Sequence, residues 1–154
     1  MPRGGRQMFD RTDDGAAEFD HARLLSVLAR ADAARLTAFA EALLPALGPV
    51  EVVQSRTGLV MLPMRDTVQG TDFHLGEVLV AEAHLRAGTA EGYGMVVGRD
   101  LQRAMAMAVV DAAASLALTP EILAFLRQEA SAAAAADDAR LRDVEATRVN
   151  METF

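Results

Sequence analysis

The chain has 154 residues, about half of them apolar, with a formal net charge of −7. That length can bury a real hydrophobic core, and the acidity argues against nucleic-acid binding, whose affinity comes from neutralising phosphates. There is no cysteine and no lysine, which excludes disulfides, thiolate nucleophiles, iron–sulfur clusters, cysteine zinc sites, Schiff-base chemistry and a phosphate loop with its lysine.

The opening, "MPRGGRQMFDRTDDG", has arginines without an apolar stretch behind them and reads as a flexible tail over residues 1–15 rather than a secretory signal. No run of eighteen apolar residues is present, so no spanning helix is expected. A single domain over residues 16–154, free of membranes and in the cytoplasm, is the expectation. Phe19, Leu24, Leu25, Val27 and Leu28 recur at helical spacing. A second helix follows over Asp32–Leu44, with Asp32 as N-cap and Pro45, Gly48 and Pro49 ending it.

Then the texture turns β-branched. "VEVVQSRTGLVMLPMRD" reads as a hairpin, Val50–Ser55 and Leu59–Arg65, around a short "SRTG" turn. Pro63 cannot donate to a ladder and predicts an edge or a bulge. "GEVLVAEAHLRAG" is the strongest strand, with Leu79, Ala81, Ala83 and Leu85 on one face, and Glu91–Val97 follows a tight turn. Four strands with short links predict an antiparallel sheet. Gly98–Asp100 leads into a helix over Leu101–Leu118, and Thr119-Pro120-Glu121 restarts the chain as another. The fold class is α+β: N-terminal helices, a roughly four-stranded, mainly antiparallel sheet, then C-terminal helices.

Candidate chemistry is thin. Gly92, Gly94 and Gly98 are spaced G-x-G-x-x-x-G, which does not match the dinucleotide fingerprint. The plainer reading is that Gly92 and Gly94 leave a shallow strand surface for close approach, Gly98 supplies an unusual backbone shape, and Asp100 caps the helix. Gly98 and Arg99 remain a minority candidate for an anion contact at a helix start. His74 and His84 lie about 33 Å apart on one extended strand, and His21 is remote in sequence, so no metal site is expected. No catalytic residue emerges.

The helix after the glycines is apolar nearly all round. Leu101, Met105, Ala108, Val109, Ala112 and Leu116 form one stripe, and Ala106, Met107, Val110, Ala113 and Ala114 stand elsewhere. Such a helix is buried on more than one side. Either the domain's own terminal helices cover it, or a partner subunit does. The second reading makes Met107 and Val110, with Leu62 and Met64 of "LVMLPM", candidate partner-facing positions.

"SRTGLVMLPMRD", "FHLGEVLVAEAHLRAG", "GYGMVVGRDLQRAMAMAVVDAA" and "VEATRVNMETF", in that order, resemble the PhnG family, and "HARLLSVLARAD" resembles its opening helix. The joint order and spacing carry the resemblance over nearly the whole chain. It implies a non-autonomous subunit of the carbon–phosphorus lyase core, acting in phosphonate catabolism with PhnH-, PhnI- and PhnJ-type subunits. That assembly is a transferase making ribose 1-alkylphosphonate 5-triphosphate from ATP and an alkylphosphonate such as methylphosphonate, with release of adenine. ATP is then a substrate of the complex, and no cofactor is expected on this chain. A homodimer contact inside the complex, with exchange of the C-terminal segment, is a further speculation. A stand-alone nucleotide- or phosphate-binding domain and a helical adaptor unrelated to phosphonates are the alternatives.

Overall fold

A computed structural model describes residues 18–148. The tail expected over residues 1–15 and the last six residues of "VEATRVNMETF" lie outside them. Two helices open the described chain. The first, α1 (His21–Arg30), starts where the Asp20 carboxylate accepts the Arg23 N–H at 2.8 Å. The second, α2 (Ala33–Leu47), starts on Asp32, which accepts the Arg35 N–H at 2.9 Å, as expected. It runs through Pro45, however, and stops at Gly48, whose φ is +72°. A proline in the last turns forfeits one helical bond, and the left-handed glycine makes the stop.

The sheet has three antiparallel strands in sequence order, not four: β1 (Glu51–Arg65), β2 (Asp72–Ala87) and β3 (Ala90–Val97). The expected "SRTG" turn does not form. Ser55, Arg56, Thr57 and Gly58 stay in the ladder opposite Ala83, Glu82, Ala81 and Val80. A 16-residue partner strand is long enough to pair the whole of β1, and a turn at Thr57 would leave the outer half of that partner without its hydrogen bonds. The chain reverses instead over the segment between Arg65 and Asp72, where Asp66 accepts the N–H groups of Val68 and Gln69. The register shifts between Leu62 and Pro63, leaving Leu75 of β2 unmatched. Pro63 thus sits on an edge strand beside a bulge, as its chemistry requires.

Two more helices complete the fold. Asp100 caps α3 (Leu101–Leu116) through the Arg103 N–H. Thr119 caps α4 (Pro120–Ala146) through the Ile122 N–H, with Pro120 and Glu121 in the first turn. α3 is the centre of the core, packed on β2 and β3, with α2 against it and α1 alongside. Ala104 and the run Ala106–Ala112 are buried, so the domain's own elements cover the helix on more than one side. Met107 and Val110, candidates for facing a partner, lie in this core at 3% and 0% exposure and present nothing to one.

Candidate functional site

The glycine run shapes packing. A Cβ on Gly92 would stand 1.9 Å from the Ala108 carbonyl oxygen, and one on Gly94 1.9 Å from that of Ala104. Ala104, Ala108 and Ala112 recur every fourth residue and form the flat stripe of α3 laid on these glycines. Gly98 has φ +104° and open space where a side chain would be; its backbone shape makes the turn. Its neighbour Arg99 is exposed. The Asp100 carboxylate already occupies the helix start, which works against an added anion there.

Asp111 is a polar residue in the middle of the apolar helix, 2% exposed. One carboxylate oxygen accepts the Tyr93 N–H at 2.9 Å, and the other lies 2.9 Å from His21 Nε2. β3 is an edge strand, and this bond satisfies a backbone donor that turns away from the sheet. His21 is remote from Asp111 in sequence, and folding brings them together. The acid in an otherwise apolar helix was the signal to read.

Beside them, the Tyr93 hydroxyl donates to Glu91 Oε2 at 2.9 Å, and Arg86 donates to Glu91 Oε1 at 3.1 Å. The phenol hydrogen bond, then the guanidinium, holds the Glu91 carboxyl below its ordinary range; the carboxylate in turn raises the Tyr93 phenol. The Tyr93 ring stacks on His84, centroids 4.3 Å apart. His84 Nε2 is buried without a hydrogen-bond partner among the described residues, and Glu91 Oε2 is 3.6 Å away, beyond hydrogen-bond reach. This pair borders a cavity of about 560 Å³ that also touches Leu25, Gln54, Glu82 and Met95. Gln54 and Arg56 both donate to Glu82. The cavity wall is mostly apolar, and its polar groups are largely spent on one another.

A second buried acid, Glu129 at 2% exposure, ties α4 to the α1–α2 junction. It accepts Arg35 Nε at 2.7 Å, Arg35 Nη2 at 3.1 Å and the Asp32 N–H at 3.0 Å. The Arg35 bonds are the main reason its carboxyl titrates below the usual range. Arg103 Nη2 caps the end of α1, donating to the Ala29 and Ala31 carbonyls. Among the described residues no three His, Asp or Glu side chains gather as a metal site, and no helix is long and apolar enough to cross a membrane. His74 and His84 lie on the one strand β2. The two buried acids, Asp111 and Glu129, brace the fold.

The surface differs in kind. Leu62 and Met64, also candidates for facing a partner, are exposed at 38% and 43% on β1. They belong to a ribbon of β1 and β2 that runs past the helices.

Residues 20–154 match the family model described as phosphonate metabolism protein PhnG. The chain belongs to the PhnG family. A relative in Rhizobium meliloti (strain 1021), the alpha-D-ribose 1-methylphosphonate 5-triphosphate synthase subunit PhnG, is 32% identical over 148 residues, 94% of each chain. Membership in a phosphonate-metabolism family over nearly the whole chain excludes an unrelated helical adaptor.

Proposed function

We propose that this chain is a non-autonomous subunit of the assembly that makes α-D-ribose 1-methylphosphonate 5-triphosphate from ATP and methylphosphonate with release of adenine. It works in the cytoplasm with PhnH-, PhnI- and PhnJ-type subunits. The observation that carries this reading is the end-to-end similarity to a subunit of that synthase. Two features of the chain support it. Its buried acids, Asp111 and Glu129, are engaged in holding elements together, and a chain without lysine or cysteine has few groups with which to work alone. Its exposed apolar surface, including Leu62 and Met64, suits a polypeptide that finishes burying itself among others.

The test is reconstitution. The purified chain mixed with ATP and methylphosphonate is expected to release no adenine. The assembled subunits are expected to release it, and an assembly lacking this chain to fail. Adenine release by the chain alone, or full activity without it, refutes the proposal.

A further inference from the structure

The sheet has two edges, and they are finished differently. At β3 the outward Tyr93 N–H is taken by the Asp111 carboxylate at 2.9 Å, and α3 and α1 pack against that strand. At β1 the backbone is left open. The Leu79 carbonyl of β2 accepts the Gly98 N–H at 2.9 Å on the β3 side. Backbone groups alternate sides along a strand, so the odd-numbered residues of β2 from Leu79 to Leu85 serve β3 and the even-numbered ones serve β1. Tyr93, opposite His84, turns its N–H away from β2 in agreement. The register then has Gln54, Arg56, Gly58, Val60 and Leu62 spend their backbone groups on β2. Ser55, Thr57, Leu59 and Met61 turn theirs outward. All four are exposed, and among the described residues those N–H and C=O groups meet no hydrogen-bond partner.

Edge strands are ordinarily blunted by proline, bulges, charge or a covering element. Here the blunting devices stand at the limits of one stretch and not inside it. The register shifts between Val52 and Gln54 and again between Leu62 and Pro63, and Gln54–Leu62 pairs with β2 without a shift. That stretch holds no carboxylate, lysine or proline, and its one charge, Arg56, is spent on Glu82. Gly58 stands at its middle. Its φ is not positive, and a Cβ there would meet nothing within 4 Å. Unlike Gly92 and Gly94, it answers no need for a turn or for packing inside the chain, and glycine weakens a strand interior. A glycine so placed fits the close approach of another backbone.

We infer that β1 pairs antiparallel with β1 of a second copy across a two-fold axis at Gly58, joining two three-stranded sheets into one. The free groups dictate the register. Centring on Gly58 sets Ser55 opposite Met61 and Thr57 opposite Leu59, so every outward N–H and C=O of the stretch finds its complement, as a two-fold contact requires. Centring on Leu59 would set Ser55 against Pro63, which has no N–H. Centring on Thr57 would set Met61 against Val53, the extra residue of the first bulge. The Gly58 pair is of the kind not bonded to each other, with Cα atoms about 4.5 Å apart, and two glycines admit that approach freely. Arg56 falls opposite Val60, and no carboxylate of the stretch meets another, so chains of net charge −7 can join here. The inference concerns the chain's own edge and stands apart from the functional reading above.

The chain has no cysteine, so single cysteines report the contact without background. The purified full chain is expected to sediment as a dimer. Gly58→Cys has open space for its side chain, and its Cα separation lies within disulfide range; mild oxidation is expected to link most of it as a dimer. Val60→Cys, on the same face, would stand about 14 Å from its symmetry mate and is expected to stay unlinked. Leu59→Pro removes an outward N–H and none from the β2 ladder. It is expected to keep the wild-type circular dichroism spectrum and to weaken the dimer at least tenfold. If Gly58→Cys stays unlinked both alone and co-expressed with the other synthase subunits, the edge takes a strand of another polypeptide and the inference falls. If Val60→Cys links as readily, the register is wrong or the copies merely collide, and it falls likewise. A folded Leu59→Pro that sediments as the wild-type dimer places the contact elsewhere. Should that variant not fold, the two cysteine variants still decide.

Discussion

Gly94 lies so close to Ala104 that a single added carbon would overlap the helix carbonyl, at 1.9 Å from Cβ to oxygen. Gly92 repeats the relationship with Ala108 one turn along. The obstacle in both places is helix backbone, which cannot turn aside as a side chain can. Gly94→Ala must therefore push α3 off the sheet. A destabilisation of about 3 kcal/mol is expected, at the upper end for overpacked cores, lowering the melting temperature by about 10 °C in a chain of this size. Differential scanning calorimetry measures it; an unchanged transition would mean that helix and strand are not in this contact.

Asp111 holds Tyr93 and His21 from inside the core. Asp111→Ala leaves the Tyr93 N–H without its acceptor and is expected to cost about 2 kcal/mol. Asp111→Asn keeps an amide oxygen for that N–H and is expected to cost about half as much. Urea unfolding of the two variants gives the comparison. Equal losses would show that the charge facing His21, rather than the bond to the strand, is what matters.

Glu129 makes stability depend on acid. Its carboxyl titrates lower in the fold than when unfolded, chiefly because of the Arg35 hydrogen bonds. The unfolded chain thus binds the proton first on acidification. The stabilisation is fully present above the unfolded value of about 4.3 and is lost as pH falls through the lower folded value. Glu18 beside Arg127 and Asp137 beside Arg30 shift in the same direction at the surface. Melting temperature is expected to drop between about pH 5 and pH 3, and Glu129→Gln to lower the plateau and flatten the drop. An acid limb of the same slope in the variant would assign the effect to the other carboxylates.

Arg99 is exposed. Arg99→Ala is expected to change stability by less than about 0.5 kcal/mol. Titration of ATP into the isolated chain is expected to give no saturable heat with or without it. A saturable wild-type signal that disappears in the variant would restore an anion site at this turn.

Much of the local structure followed from the sequence alone. Asp32, Asp100 and Thr119 cap helices because short polar side chains can take an N–H three residues on, a choice made within one turn of chain. Alternation put Ala81, Ala83 and Leu85 on the buried face of β2, and Pro63 announced its bulge. The glycine pair announced a close approach, and the order of motifs announced the family. What the sequence could not settle was competition between distant segments. Whether Ser55–Gly58 turns or extends depends on β2, which offers a ladder long enough to keep it straight. Whether Met107 and Val110 meet a partner or their own core depends on where α1 and α2 pack, since an apolar helix surface looks the same from either side. The pairing of His21 with Asp111, ninety positions apart, and the exposure of the outer part of the β1–β2 hairpin exist only once the chain is folded, because burial is a property of neighbours in space.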